Sequence, residues 1–150
     1  MAVLRNPQAT TPATTVDPVI TLTSWDFKSS TREIYKACHV KHTDTKTKAV
    51  IEYTYTDPNK STGKVLQVNQ QVESIAEAER LARNKLREKN KDEVTGAMTL
   101  TGDIRLSAGL TVTVEGFRKF DGKYIITKAA HKVGGGYTTS VELRRCLNGY

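Results

Sequence analysis

Apolar and polar residues alternate with period two along most of this chain, the spacing of strands that bury one face. The clearest case places Ala49, Ile51, Tyr53 and Tyr55 opposite Val50, Glu52, Thr54 and Thr56. Leu110, Val112 and Val114 alternate with Thr111, Thr113 and Glu115, and Tyr137, Thr139, Val141 and Leu143 with Thr138, Ser140, Glu142 and Arg144. Tyr124–Val133 is the most apolar candidate strand, and Val94–Thr101 alternates more weakly. Upstream, the β-branched run Val19-Ile20-Thr21-Leu22-Thr23 predicts a short strand. In the next one, Ile34, Cys38 and Val40 share a face with Lys36 and His42.

Turn residues punctuate these runs. Asp44 to Lys48 reads as a hairpin loop, and Asp57-Pro58-Asn59 ends the strand before it because Pro has no N–H for the ladder. Asp121-Gly122 suits a two-residue type I′ turn joining strands around Phe117 and Tyr124. Gly134-Gly135-Gly136 turns the chain once more.

One segment switches to the helical period. Ile75, Ala78, Leu81, Ala82 and Leu86 form an apolar stripe over about 74–90. Ser74 at the N-cap and Glu77 three residues on make a capping box, and Asn90 is positioned as a C-cap. Strands, one helix, then a β-meander predict a mainly β (α+β) fold: an antiparallel β-barrel with one packed α-helix.

Composition adds boundaries. A chain of 150 residues is of single-domain length. Its first 18 residues are rich in Thr and Pro and predict a flexible linker, leaving 19–150 as the β-barrel domain. No apolar run approaches the ~20 residues that span a bilayer, and the N-terminus lacks the apolar core of a secretory signal.

Charge and candidate chemistry exclude more than they assign. The net charge of +7 admits a polyanion partner. On the helix, however, Arg80, Arg83 and Arg87 interleave with Glu77, Glu79 and Glu88, a pattern suited to i,i+4 pairing more than to a phosphate track. His39 and His42 are three apart, which puts them on opposite faces of a strand, and His131 reads as a core-edge residue with a satisfied ring. Cys38 and Cys146 belong to no zinc or redox spacing and read as free thiols. The glycine run opens a strand, not a helix, and so lacks phosphate-loop form. No catalytic, cofactor-binding or metal-ligating residue is assigned, and no cofactor is expected.

The ordered set of segments resembles a known family. VNQQVESIAEAERLARNKLREKN, GDIRLSAGLTVTVEGF and FDGKYIITKAAHKVGGGYTTSVELRR are similar to the C-terminal part of the phage late control protein D family. SSTREIYKACHVKHTDTKTKAVIEYTYTDP is similar to the strand pair that precedes the helix there. The resemblance covers about residues 19–150 and departs at the front, since members of that family are longer and carry further domains. It implies a tail-tube-like hub barrel and a structural, non-enzymatic role in a contractile phage or prophage tail. That role is a baseplate hub subunit linking tail tube to central spike. The implied partners are other hub subunits (a trimer in full-length context), tail tube and spike proteins, with no small-molecule substrate and no membrane. The implied location is the virion, after assembly in the host bacterial cytoplasm. The competing readings are a polyanion or nucleic-acid-binding β-barrel, testable by salt-dependent DNA binding, and a tail-borne cell-wall hydrolase. The hydrolase would need a carboxylate pair or Cys/His set that the sequence does not offer.

Overall fold

The computed structural model describes residues 2–8 and 20–147, which form two compact units. The elements, in chain order, are β1 (Ala2–Arg5), β2 (Leu22–Ser29), β3 (Tyr35–Thr43), β4 (Val50–Thr56), β5 (Lys64–Val68), α1 (Ile75–Asn90), β6 (Val94–Thr101), β7 (Thr111–Glu115), β8 (Gly122–Val133) and β9 (Tyr137–Arg145). The fold is mainly β with one α-helix among the described residues, in agreement with the alternation of the sequence.

The first unit holds β1, β2 and β6–β9 in one six-stranded sheet of order β1-β7-β8-β9-β6-β2, curled into a half-barrel. All its pairings are antiparallel except β1 with β7, which is parallel. The inner face carries Leu4, Leu22, Met98, Leu100, Val112, Val114, Tyr124, Ile126, Val141 and Leu143, all buried in one core. Period-two spacing therefore gave Val112 and Val114 of β7 and Thr139, Val141 and Leu143 of β9 as inward residues, whereas Leu110 and Tyr137, expected on the same faces, are exposed. β2 runs further than Val19–Thr23 predicted, because Trp25 and Phe27 alternate with Ser24, Asp26 and Lys28 and pair with Met98 and Gly96. Phe27 lies across the glycine and stacks on Phe120 with ring centroids 4.9 Å apart, while Trp25 meets Phe117 edge-on at 5.6 Å.

Two local expectations change here. Ala2–Arg5, expected as part of a flexible 1–18 linker, is a strand: Leu4 is fully buried and Arg5 pairs with Glu115 at 2.9 Å. Burial of one leucine and a ladder of backbone bonds outweigh the entropy of ordering so short a segment. Residues 9–19, the rest of that expectation and the start of the predicted Val19–Thr23 strand, lie outside the described residues. The β7–β8 connection is also longer than an Asp-Gly turn. It runs through Gly116 at φ 83 and a 3-10 turn, Arg118–Phe120, and Gly122 already pairs with Val114 at φ 141.

The second unit is inserted in the chain between β2 and β6, which are themselves paired neighbours. It holds a three-stranded sheet of order β4-β3-β5, with β3–β4 antiparallel and β3–β5 parallel. The short strand β5 has no counterpart in the sequence reading. Helix α1 covers the face bearing Cys38, Val40, Tyr53, Tyr55, Leu66 and Val68, so it packs on this sheet. Ala78, Ala82, Leu86 and Asn90 are its buried residues, and the two alanines present little side-chain bulk to the strands. The Ser74 half of the expected capping box forms, with Ser74 Oγ accepting from the Glu77 N–H at 3.2 Å, while the Glu77 carboxylate reaches one residue further back and accepts from the Glu73 N–H at 2.8 Å. Ile75, expected in the buried stripe, is 62% exposed because it sits on the first turn ahead of the sheet contact made by Ala78. Asn90 is the last helical residue, not the cap, which is Lys91.

Candidate functional site

The residues with chemical potential are dispersed. In the second unit, His39 and His42 occupy opposite faces of β3, as their spacing requires. The His39 ring meets the Thr54 hydroxyl across the strands at 2.7 Å, and His42 pairs with Ile51. Cys38 is a fully buried free thiol whose pKa is pushed up by burial, with Lys85 pulling weakly the other way, so it is a poor nucleophile. Cys146 is a free, partly exposed thiol in the first unit. The helix charges pair as their spacing predicts: Arg83 with Glu79 at 3.1 Å and Lys85 with Glu88 at 3.2 Å. Arg83 also lies 5.2 Å over the Tyr55 ring. Among the described residues, no group of three or more His, Cys, Asp or Glu side chains could hold a metal ion, and no helix is long and apolar enough to cross a membrane.

His131 is the one histidine built into a network. From β8 its Nε2 faces the Leu106 carbonyl at 3.1 Å, so that nitrogen carries the proton. Its Nδ1 then offers one lone pair to the hydroxyls of Thr139 and Tyr137, each 3.0 Å away on the neighbouring strand β9. The buried Thr139 oxygen accepts in turn from the Asp103 N–H at 3.0 Å, and Asp103 binds the Arg105 guanidinium at 2.7 Å. That contact with Arg105 holds the Asp103 carboxyl below its ordinary range. All these bonds fix the 102–110 loop, whose Leu106 enters the core of the half-barrel. The ring nitrogens are occupied by the protein itself, which makes His131 a structural latch; the satisfied ring was anticipated, but the residue is exposed and does not sit at the core edge.

A second device fixes the 116–121 connection. The Asp121 carboxylate accepts from the Phe117 N–H at 2.6 Å and the Tyr124 hydroxyl donates to the Phe120 carbonyl at 2.7 Å. Arg145 reaches across from β9 to the Lys119 and Asp121 carbonyls at 2.9 and 2.5 Å. Its guanidinium also lies 5.6 Å over the Tyr124 ring.

The outer face of the six-stranded sheet is the remaining broad surface. Along it run Ser24, Thr99, Ser140 and Ala130 in one cross-strand row and Asp26, Ala97, Glu142 and Lys128 in the next. A shallow groove of about 390 Å³ lies over these small side chains. Its carboxylates each have a lysine partner, Asp26 with Lys28 at 3.8 Å and Glu142 with Lys128 at 3.4 Å.

In both described loops of the first unit, 102–110 and 116–121, the polar side chains are engaged in holding the chain's shape. The chain belongs to the YQBQ-like family, whose model matches residues 3–144. No curated protein matches it. Among solved structures it is similar to prophage MuSo2, 43 kDa tail protein from Shewanella oneidensis: TM-score 0.71 at 14% identity, over 96% of this chain and 43% of that one. It is also similar to the tail protein from Neisseria meningitidis MC58: TM-score 0.66 at 15% identity, over 96% of this chain and 44% of that one. A chain in the virion of the native gene transfer agent particle is matched over 83% of this chain and 28% of its own length, with TM-score 0.51 and 15% identity. The chain thus spans less than half the length of each of these three, and what it shares with them is the fold.

Proposed function

We propose that this chain is a structural, non-catalytic component of a phage or prophage tail. More finely, it acts as a baseplate hub subunit of a contractile tail, joining tail tube to central spike. The observation that carries this reading is the fold shared with two bacterial tail proteins over 96% of the chain. The sequence resemblance to late control protein D over about 19–150 supports the finer assignment. The second unit, inserted between two paired strands of the first, would then act with it as one hub module. The partners would be other hub subunits, forming a trimer in full-length context, and the tube and spike proteins, with the virion as the site of action. Sheets that end in edge strands, here β1 and β2 in one and β4 and β5 in the other, carry backbone groups able to pair with a neighbour. A symmetric ring closes such contacts on themselves.

The polyanion alternative rests on the +7 charge alone, and the paired Arg83 and Lys85 weigh against a continuous phosphate track on α1. Cryo-electron microscopy of intact tails tests the proposal. Density for this chain is expected around the tail axis above the spike; density in the sheath, the fibres or the capsid overturns the hub reading.

A further inference from the structure

The 116–121 connection, fixed by Asp121, Tyr124 and Arg145, presents positive charge to solvent. Arg118 and Lys119 are consecutive and exposed, and the Arg145 guanidinium lies beside them on the Lys119 carbonyl. Among the described residues none of these three cations forms an ion pair. The acids that could neutralise them are engaged elsewhere. The Asp121 carboxylate accepts from the Phe117 N–H, and Glu115 at the end of β7 is paired with Arg5 at 2.9 Å. Arg118 also stands at φ 60, a left-handed conformation that disfavours any residue with a Cβ. Gly116, two residues earlier, takes φ 83 without that cost. Among the described residues no hydrogen bond or ion pair holds the Arg118 side chain, so no such contact offsets the strain. Lys119, by contrast, is already placed. Its ammonium lies 4.9 Å over the Phe120 ring, which is itself stacked on Phe27. A cation held in this way loses less freedom on binding than an unrestrained lysine.

We propose that the Arg118–Lys119 turn is an anchor for a pair of carboxylates on an acidic segment of another protein of the same particle. The proposal rests on the tail reading above. Charge complementarity selects the partner. Arg118 offers a planar fork of donors and Lys119 a point charge, which together match two neighbouring Asp or Glu side chains. The patch is a single turn wide, whereas duplex DNA presents one charge per about 1.7 Å of its axis and rewards a long row of cations. A second copy of this chain would face the turn with a net charge of +7 of its own.

Carbodiimide coupling reads the contact directly. It joins a lysine amine to a touching carboxylate as an amide, with the carbodiimide taking up the water. Purified tails are treated with a water-soluble carbodiimide and digested, and the amides are identified by mass spectrometry. Lys119 is expected to be joined to an Asp or Glu of one other tail protein. Arg118→Glu, which reverses a charge, should lower the yield of that adduct about tenfold. Arg118→Gly should lower it about fivefold while melting at or above the parent, since glycine relieves the positive φ. A merely structural Arg118 would give the opposite result, a lower melting temperature and an unchanged adduct. Lys132→Glu makes the same change in net charge at the far end of the twelve-residue strand β8 and should leave the yield unchanged. Added salt should weaken the parent adduct. No adduct at Lys119, an adduct confined to the chain itself, one indifferent to both Arg118 variants, or one lowered equally by Lys132→Glu overturns the anchor. Duplex DNA binding by the pure chain that Arg118→Glu abolishes would assign the turn to nucleic acid and overturn it as well. Absence of the chain from purified tails overturns the tail reading along with it, whereas its presence without the Lys119 adduct overturns the anchor alone.

Discussion

Asn90 binds Tyr35 as one peptide group binds another. Its side-chain oxygen accepts from the Tyr35 N–H at 3.0 Å and its amide donates to the Tyr35 carbonyl at 2.7 Å. The asparagine is fully buried, so the last turn of α1 is fastened to the start of β3 by two bonds sheltered from water. Asn90→Ala leaves both backbone groups of Tyr35 without that partner and should cost about 1–3 kcal/mol in a urea melt. Asn90→Asp supplies only acceptors, sets a carboxylate against a carbonyl, and should cost more. A variant as stable as the parent would show that water replaces the side chain there.

The helix stripe gives an asymmetric prediction. Leu86 is fully buried in the second unit's core, whereas Ile75 is largely exposed. Leu86→Ala should cost roughly 2–5 kcal/mol as a cavity-forming change, and Ile75→Ala should be near neutral. Equal losses at the two positions in equilibrium unfolding would contradict the packing described.

Gly102 is held by sterics, since a Cβ there would enter the Tyr137 ring. Gly102→Ala should cost about 1–3 kcal/mol by overpacking. The cost should shrink when Tyr137→Ala is added, because the obstacle is then gone. A double-mutant cycle with no coupling between the two positions would place the strain elsewhere.

Tyr124 predicts a pH dependence. Burial pushes its phenol above the ordinary 10.0, with the Arg145 guanidinium pulling it back. A group whose native pKa is raised contributes stability that is complete below its unfolded pKa and is lost as pH rises through the native one. The stability of the parent should therefore fall more steeply above pH 10.0 than that of Tyr124→Phe. Near neutral pH the same variant should be less stable by about 0.5–1.5 kcal/mol, having lost the bond to the Phe120 carbonyl. Parallel alkaline profiles for the two proteins would remove Tyr124 as a contributor.

Much of this architecture is written locally, and for that reason was legible. The period-two runs at 49–56, 110–115 and 137–144 depend only on neighbours alternating across a pleat; they became β4, β7 and β9, with Ile51, Tyr53 and Tyr55, Val112 and Val114, and Thr139, Val141 and Leu143 facing inward as expected, while Leu110 and Tyr137 are exposed. The helix and its Ser74–Glu77 cap are equally local. β2 was within reach as well, since Trp25-Asp26-Phe27-Lys28 alternates over the full strand. For β1 and β5 no such signal exists. Ala2–Arg5 and Lys64–Val68 are too short to declare a period, and each is a strand because a longer neighbour, β7 or β3, offers it a parallel edge. The Asp121-Gly122 signal marked a true hairpin, but Arg145, distant in sequence, helps to hold the longer turn that was built.

The candidate surfaces divide in the same way. The sequence by itself determined the β character of the chain, the capped helix at 75–90, and the scatter of its histidines and cysteines, because each follows from spacing along the backbone. Only the tertiary structure decided which sheet the helix covers and that Asn90 fastens Tyr35. It alone brought Gly102 under the Tyr137 ring, since such meetings depend on strand register and loop closure between residues far apart in the chain.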